Sequence, residues 1–279
     1  MRVLVTGANG YIGKHVVSAL IRRGIDTIAA DLSMANVDPM AEQLTIDIFQ
    51  EADQLFEKAG KPDVFLHLAW KDGFMHNVDT HMLCLSDHYR LLRAMISSGV
   101  KQIAVMGSMH EVGYWEGAID ENTPCNPMSM YGIAKDALRR SLFQMTKGED
   151  IVIQWLRGYY IFGDDERSSS IFGKITQAAK EGKTEFPFTS GKNQYDFISV
   201  EDLSDQIASV VSQKDIVGII NCCTGTPVSL SEQVNHYIEQ NNYNITLKYG
   251  AFPDRPYDSP AVWGDNKKIT QILKKEQEV

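Results

Sequence analysis

A tyrosine and a lysine four positions apart, Tyr131 and Lys135, are the residues of this sequence best suited to acid–base chemistry on a hydroxyl or a ketone. On a helix this spacing places both side chains on one face. A phenol has a pKa of about 10, and an adjacent ammonium stabilises its phenolate for proton transfer near neutral pH. Ser108 follows an apolar segment that ends in Gly107, so we expect its hydroxyl at the carboxyl end of a strand, where it could polarise a substrate oxygen. The sequence therefore predicts a catalytic set of Ser108, Tyr131 and Lys135.

A Tyr-x-x-x-Lys pair is common by chance, and its value depends on the segment that begins the chain. MRVLVTGANGYIG places an apolar strand directly before Gly7, Gly10 and Gly13. Such a strand must turn tightly into a helix whose first N–H groups face a pyrophosphate, and glycine permits the turn, the phosphate approach and close helix packing. We therefore predict a dinucleotide site, with contacts in this segment from Gly7, Asn9, Gly10, Tyr11, Ile12 and Gly13.

Asp31 ends the second apolar strand, about twenty positions after the last glycine, which is the spacing expected for an acid that binds the adenosine ribose. No Arg or Lys occurs between Leu32 and Glu42, so a 2′-phosphate would face an uncompensated carboxylate. We therefore predict NAD(H) rather than NADP(H). Taken alone, Asp31 could equally be a solvated acid at a strand end.

Length and charge limit the classes of protein to consider. With 279 residues and a net charge of −9, the chain fits an α/β enzyme and makes a nucleic-acid surface improbable. Its apolar runs are shorter than a membrane span and its start does not resemble a targeting peptide, so we expect a cytoplasmic protein. The cysteines lack metal-ligand or disulfide spacing and are expected to be reduced, with Cys222 and Cys223 ending a buried strand.

Alternating strand and helix patterns predict an α/β fold with a doubly wound parallel sheet. Strands are expected at 2–6, 26–31, 63–68, 101–107, 151–156 and 217–222, with a short crossover segment at 44–48. A helix is expected over 75–98 because Met82, Leu85, Tyr89, Leu92 and Ile96 share one helical face. A second helix beginning near Tyr131 would pair with it in a homodimer.

The pattern becomes irregular after residue 160, which predicts two interleaved units. We expect a dinucleotide-binding domain at 1–160 and a smaller substrate lobe mainly at 161–279. The segment 196–222 is expected to return to the main sheet. Such a lobe would close over the carboxyl ends of the strands, where open α/β sheets bind ligands.

These motifs resemble the extended short-chain dehydrogenase/reductase family, in particular its nucleotide-sugar epimerases, dehydratases and ketoreductases. The resemblance covers nearly the whole chain, through TGANGYIG, GSMHEVG at 107–113, PMSMYGIAK at 127–135, LRGYYIFG at 156–163, YDFISVEDL at 195–203 and RPYD at 255–258. It implies a Rossmann sheet, NAD(H), a nucleotide-sugar substrate, and the catalytic roles given above for Ser108, Tyr131 and Lys135. It also implies adenine contacts from Asp47 and Ile48, cofactor contacts from Leu68, Ala69, Tyr131 and Lys135, and a diphosphate contact from Arg255 oriented by Asp258.

Several residues depart from the family pattern. Tyr160 and Tyr195 stand where Asn and Arg are frequent, and Met109 and His110 follow Ser108 where dehydratases carry two acids. His110 is expected to be solvated, and Trp70 either narrows the substrate pocket or serves packing alone. The predicted substrate contacts are Trp70, Glu111, Tyr160, Arg255 and Asp258, and no metal site is predicted.

The preferred hypothesis is an NAD(H)-dependent oxidoreductase that acts at C4 of a nucleotide-activated sugar. Reduction of a 4-keto sugar is placed slightly ahead of 4-epimerisation with tightly bound NAD, because the short chain leaves a small lobe. Two non-catalytic alternatives are a protein that senses dinucleotides and a scaffold whose helices only dimerise. Neither explains the ordered occurrence of Ser108, Tyr131 and Lys135.

Overall fold

Strands and helices alternate from the N-terminus in the computed structural model, which describes residues 1–163, 170–254 and 258–278. In chain order the elements are β1 (Arg2–Thr6), α1 (Tyr11–Arg22), β2 (Asp26–Asp31), β3 (Glu42–Thr45), α2 (Ala52–Lys58), β4 (Val64–His67), α3 (Thr80–Leu83), α4 (Leu85–Ser97), β5 (Gln102–Ser108), β6 (Gly117–Ile119), α5 (Met130–Met145), β7 (Val152–Gly158), β8 (Tyr160–Phe162), α6 (Ile171–Lys180), β9 (Glu185–Pro187), β10 (Gln194–Ser199), α7 (Val200–Val211), β11 (Gly218–Cys222), β12 (Pro227–Ser229), α8 (Leu230–Gln240), β13 (Thr246–Lys248), β14 (Ala261–Gly264) and α9 (Lys267–Gln277).

The main sheet contains, within the described residues, seven parallel strands in the order β3-β2-β1-β4-β5-β7-β11. Its central strands are buried along their whole length, because helices cover both faces. The strand order reverses between β1 and β4, and ligands of such sheets bind outside the carboxyl ends of the strands at that point. The predicted doubly wound Rossmann arrangement is confirmed.

Two apolar cores separate the sheet from its helices. One core packs side chains of α1, α7 and α9 against the sheet, and the other packs α2, α4 and α5 against the opposite face. α5 therefore packs beside α4 in the same chain. The return of the C-terminal helix α9 to the main sheet was not predicted.

A smaller sheet has the strand order β12-β10-β14-β6, with β8 joined to β10, and a third apolar core lies between it and α6 and α8. The prediction that the strand near 196 returns to the main sheet was wrong, because β10 pairs with β8, β12 and β14. The buried Asp196 carboxylate fixes this placement by accepting hydrogen bonds from the backbone N–H groups of Thr224, Gly225 and Gly264. α7 and β11 do return to the main sheet.

The single helix predicted over 75–98 begins only at Thr80 and is divided into α3 and α4 at Cys84. His81 is buried because the indole N–H of Trp70 and the carbonyl of Met75 bond to its ring. These contacts orient α3 differently from a continuous helix and leave Met82 42% exposed, contrary to its predicted place on the apolar face. The other four apolar residues of the predicted face pack against the core as expected: Leu85, Tyr89, Leu92 and Ile96.

The remaining compositional expectations concern cysteines and membrane spans. The four cysteines are free thiols, and Cys222 and Cys223 are buried at the end of β11, as predicted. Among the residues that the structure describes, the helices are too short or too polar to cross a bilayer.

Candidate active site

The glycine-rich turn lies between β1 and α1 at the point where the strand order reverses. Gly7 has φ +71°, and a Cβ on it would lie 2.6 Å from the Ala69 Cα. A Cβ on Gly13 would lie 2.0 Å from the Gly7 carbonyl oxygen. Gly10 begins α1 and has no side chain with which to cap the first helical N–H groups, which leaves them for an anionic ligand. The turn therefore has the shape and the donors that a pyrophosphate requires.

Asp31 extends this site at the end of β2. Its carboxylate accepts hydrogen bonds from the N–H groups of Asn9, at 3.0 Å, and Leu32, at 2.7 Å. The Asn9 side chain in turn accepts from the Asn36 backbone at 2.8 Å, so the glycine turn and the loop after β2 are linked. An acid so placed fits the ribose end of a dinucleotide.

The other predicted cofactor residues border the same end of the sheet. Asp47 accepts from the N–H groups of Phe49 and Gln50 and so caps a turn, while Ile48 is 7% exposed. The Leu68 N–H donates to the Thr6 carbonyl, which extends the β1–β4 pairing. Ile12 packs against the core below α1. The Tyr11 hydroxyl donates to the Gly163 carbonyl at 2.5 Å and so links the glycine turn to the segment after β8.

Ser108, Tyr131 and Lys135 meet at the carboxyl end of β5. Ser108 is the last residue of that strand, and its hydroxyl lies near enough to the Tyr131 hydroxyl to lower the pKa of the phenol. The Lys135 Nζ donates to the Met106 carbonyl at 2.8 Å. α5 approaches β5 closely, because a Cβ on Gly132 would lie 2.3 Å from the His110 carbonyl oxygen. The predicted catalytic set is thus brought together by one strand end and the first turns of one helix.

Burial determines the charge of this set. Burial lowers the pKa of Lys135 to about 7, although the negative charge of Glu111 favours the ammonium and acts in the opposite direction. It also raises the pKa of Tyr131, although the Ser108 hydrogen bond acts in the opposite direction. Tyr131 is therefore a protonated phenol at neutral pH and is ready to donate a proton.

Glu111 does not lie where a substrate could contact it, so its prediction as a substrate contact was wrong. It is fully buried, and its carboxylate accepts from the Ser108 N–H at 2.6 Å and from the Trp155 indole at 2.9 Å. Arg157, also fully buried, lies 3.6 Å away. Glu111 completes a capping box that Ser108 begins, across the short 3-10 turn Met109–Glu111. It therefore fixes the backbone that carries the Ser108 hydroxyl.

Five histidines surround the site, and sequence reasoning assigned none of them to it. The His76 ring stacks on Tyr131 with centroids 5.3 Å apart, and the His110 ring lies 4.2 Å from His76. His110, expected to be solvated, is only partly exposed, and burial lowers its pKa to about 3. The others are His67, His81 and His88, which lie around Trp70. Even so, the described residues contain no group of metal-ligating side chains that could hold an ion.

In the sequence, the only indication of these histidines is that they are concentrated in one part of the chain. Five of the seven histidines of the chain fall between residues 67 and 110, without the helical or strand period that identifies a face. Trp70 was the more visible residue, and the structure gives it ring contacts with His88 (stacked, 4.4 Å), His81 (stacked, 6.2 Å) and Tyr131 (edge, 6.0 Å). Trp70 therefore borders the catalytic set.

Of the remaining predicted substrate contacts, Tyr160 lies in the smaller sheet. Tyr160 on β8 stacks on Tyr195 with ring centroids 4.2 Å apart. Burial raises the pKa of Tyr160, and the charges of Tyr195 and Asp258 add to the rise, so Asp258 lies near this pair. Arg255, the predicted diphosphate contact, lies outside the described residues.

The chain is similar to known proteins over nearly its whole length. A model of the NAD dependent epimerase/dehydratase family matches residues 3–223. The chain is 42% identical, over 95% of its length and 99% of the relative, to the dTDP-6-deoxy-L-talose 4-dehydrogenase (NAD(+)) of Aggregatibacter actinomycetemcomitans. It is 28% identical, over 98% of its length and 91% of the relative, to the UDP-glucose 4-epimerase of Lactobacillus helveticus.

Among solved structures, the fold is similar to that of the UDP-glucose 4-epimerase of Thermus thermophilus, which was solved in complex with NAD. The TM-score is 0.80 at 20% identity, over 97% of this chain and 92% of the other. At that identity the similarity supports the fold, while the sequence relatives carry the assignment to a family.

Proposed function

The chain belongs to the NAD-dependent epimerase/dehydratase family, and on that premise we propose that it oxidises or reduces C4 of a nucleotide-activated 6-deoxyhexose. Members of this family are enzymes, so the sensor and scaffold alternatives are not retained. The observation that carries the proposal is the meeting of Ser108, Tyr131 and Lys135 at the strand end beside the glycine turn. The 4-dehydrogenase relative, at 42% identity, supports C4 and a thymidine-linked sugar.

NAD(H), when bound, supplies or accepts the hydride at C4. In the direction of reduction, Tyr131 donates its proton to the sugar O4 as the hydride arrives, and solvent then reprotonates the phenolate. Ser108 donates a hydrogen bond to the same oxygen and holds it in place. The Lys135 ammonium stabilises the transient phenolate. In the direction of oxidation each transfer is reversed.

The protonation state of Tyr131 supports the ketoreductase direction. A buried phenol with a raised pKa begins the cycle with the proton that O4 must receive. Oxidation would require the phenolate first, so we expect a more alkaline optimum in that direction.

A 4-epimerase is the second candidate, because the more distant relatives include UDP-glucose and UDP-arabinose 4-epimerases at 25–28% identity. The two functions differ in what happens to the cofactor. A dehydrogenase exchanges it in every turnover, whereas an epimerase retains it and returns the hydride to the other face of the sugar.

The test is to incubate the purified protein with NAD⁺ and dTDP-6-deoxy-L-talose, and separately with UDP-glucose, while recording NADH absorbance and sugar identity. Net NADH formation with the deoxyhexose supports the dehydrogenase. UDP-galactose formed from UDP-glucose without net NADH would support the epimerase instead. Absence of turnover with either class would reject action at C4 of these sugars.

The substrate and subunit contacts predicted from sequence are part of this proposal. Tyr160 and Asp258 are proposed to face the sugar nucleotide from the smaller sheet, with Arg255 at the diphosphate. We also propose a homodimer formed through α4 and α5, since exposed apolar side chains flank these helices: Leu83, Met128, Met130 and Ile133. Sedimentation of the purified protein would test the dimer directly.

A further inference from the structure

We propose that Trp70 is a positioning residue for Lys135: its indole face, locked by hydrogen-bonded histidines, holds the ammonium beside the proton-transfer residues. The proposal rests on the proposed function, in which Lys135 stabilises the Tyr131 phenolate. His67, Trp70, His81 and His88 are called the ring cluster below.

The Lys135 ammonium has two close neighbours besides its own helix. Its Nζ lies 3.7 Å from the centroid of the Trp70 ring and 2.8 Å from the Met106 carbonyl oxygen. The same nitrogen is 5.8 Å from the centroid of the Tyr131 ring. An ammonium over an indole face is attracted by the ring quadrupole, most strongly where water is excluded, and Lys135 is only 3% exposed. The indole and the carbonyl therefore define where the charge lies.

The indole is held in one orientation by hydrogen bonds on its edge. Its Nε1–H donates to the Nδ1 of His81 at 3.1 Å, so that nitrogen must be unprotonated. The Nε2 of His81 lies 2.8 Å from the Met75 carbonyl oxygen and must therefore carry the proton. His81 is thus a neutral imidazole in one tautomer, and it links Trp70 to the 71–79 segment.

Two further histidines, His67 and His88, support the indole. The His88 ring stacks on Trp70 with centroids 4.4 Å apart and planes inclined by 17°. Its Nδ1 lies 2.8 Å from the Nε2 of His67, whose Nδ1 lies 2.7 Å from the Thr6 hydroxyl. A bond between two ring nitrogens needs one donor and one acceptor, so the two rings cannot both be doubly protonated. The indole is thereby connected through two rings to β1.

The charges around Lys135 favour an ammonium only weakly. On α5, Tyr131 is protonated; from the 3-10 turn, the Glu111 carboxylate attracts the ammonium. Two histidines face Lys135 from other elements: His67 on β4 and His88 on α4. Burial lowers the pKa values of both, and repulsion from the Lys135 ammonium lowers them further. The ring cluster is therefore neutral, and the Trp70 quadrupole acts on the ammonium without competition from a second cation.

Trp70→Leu tests the proposal, because it removes the quadrupole and keeps an apolar side chain. The Lys135 pKa is read by NMR of protein labelled with ¹³C-lysine, its resonance being identified by its loss in Lys135→Met. We expect the pKa to fall by about 0.5 to 1 unit, since a cation–π contact favours the charged form. The alkaline limb of the kcat profile for ketone reduction should move to lower pH by the same amount. Trp70→Phe, which keeps a ring face, should restore at least half of the shift.

Phe49→Leu is the matched control. The Phe49 ring contacts His88 with centroids 4.9 Å apart, so the variant loosens the ring cluster without removing the face over Lys135. An unchanged Lys135 pKa in Trp70→Leu would overturn the proposal, as would an equal fall in Phe49→Leu. A rise in Trp70→Leu would also overturn it, by showing that the ring acts only by excluding water. The NMR titration needs no substrate, so a failure of the proposed sugar activity would be recognised separately.

Discussion

The candidate site has a cofactor side, around the glycine turn, and a catalytic side, around Tyr131. The two sides differ in what holds their residues in place. On the cofactor side, backbone geometry does so: Gly7 and Gly13 allow approaches that a Cβ would block, and Asp31 accepts from backbone N–H groups. On the catalytic side, side chains hold side chains: Trp70 bonds to His81 and lies over Lys135. The cofactor side therefore leaves almost no room for added side-chain atoms. The geometry of the catalytic side depends instead on which imidazole rings are protonated.

This difference predicts two kinds of sensitivity. A changed residue in the glycine turn should impair folding and cofactor binding together, because one backbone path serves both. A changed residue of the catalytic side should impair turnover or its pH dependence while cofactor affinity persists. Variants on the two sides therefore distinguish a combined loss of stability and cofactor affinity from a loss of turnover alone.

The largest effect is expected for Tyr131→Phe. The variant loses the hydroxyl that transfers the proton but keeps the ring packed against His76 and Trp70. Turnover should fall by about 10²- to 10⁴-fold, the usual contribution of a general acid–base group. NAD(H) affinity, measured by calorimetry, should stay within a few-fold of the wild type. A variant that keeps most of its activity would remove Tyr131 from the proton path.

The same contrast explains what could be predicted from the sequence. Six of the main-sheet strands were found because each is a largely apolar run with turn residues at its ends. β3 was expected only as a crossover segment at 44–48, because its sequence EQLT is polar and mostly exposed. The glycine turn and the Ser108, Tyr131 and Lys135 set were found because their spacing is local or ordered. β10 was misplaced because its partners β8 and β14 lie far away in sequence.

The ring cluster could not be predicted for the same reason. His67 meets His88 across two different elements, and Trp70 meets His81 across a loop that has no regular period. Glu111 was misjudged because its ion partner, Arg157, lies on β7 and its neighbours bury it completely. Pairings that form only after the chain has folded leave no local pattern to detect.

Gly13→Ala should have the next largest effect, on the cofactor side. The added Cβ would lie 2.0 Å from the Gly7 carbonyl oxygen, so α1 must move away from the turn. We expect a loss of stability of about 2 kcal/mol, or roughly 4 to 8 °C in Tm, together with at least a tenfold weaker affinity for NAD(H). Gly24→Ala, after the far end of α1, is the control for cofactor affinity: its Cβ meets open space, and its φ of +68° makes the variant lose stability away from the turn. Equal NAD(H) affinities in the two variants would contradict a close-packed turn.

Cofactor preference tests Asp31 with a smaller expected change. Combining Asp31→Ala with Leu32→Arg removes the carboxylate and adds a cation at a position that is 71% exposed. The ratio of kcat/KM for NADPH over NADH should rise by at least tenfold, because a 2′-phosphate no longer meets an acid. Leu32→Arg alone is the control and should shift the ratio less. A ratio that stays unchanged in the double variant would place the ribose elsewhere.

Lys135→Met should stabilise the protein while abolishing turnover. Burial lowers the pKa of Lys135 from 10.5 to about 7, so below pH 7 the folded state carries a desolvated charge at full cost. Between pH 7 and pH 10.5 Lys135 releases its proton in the folded state and keeps it in the unfolded state. The destabilisation caused by the buried charge therefore declines as the pH rises. The variant should gain about 4 to 8 °C in Tm at pH 6 and much less at pH 9.5. Lys174→Met, at an exposed position of α6, should show no such dependence on pH.

The smallest effect concerns the ring cluster in acid. Burial lowers the pKa of His88 from 6.5 to about 3, so between those values the unfolded state binds a proton that the folded state does not. The free energy of unfolding therefore decreases as pH falls below 6.5, by up to about 1.4 kcal/mol per pH unit for this group.

His88→Phe keeps a ring between Trp70 and Phe49 but loses the bond to His67, so at pH 7.5 it should be about 1 kcal/mol less stable than the wild type. Urea unfolding at pH 7.5 and pH 5 should show that deficit disappear or reverse, whereas His236→Gln on the exposed face of α8 should keep a constant difference. A deficit that persists unchanged at pH 5 would mean that His88 is protonated in the folded state, and the neutral ring cluster beside Lys135 would have to be abandoned.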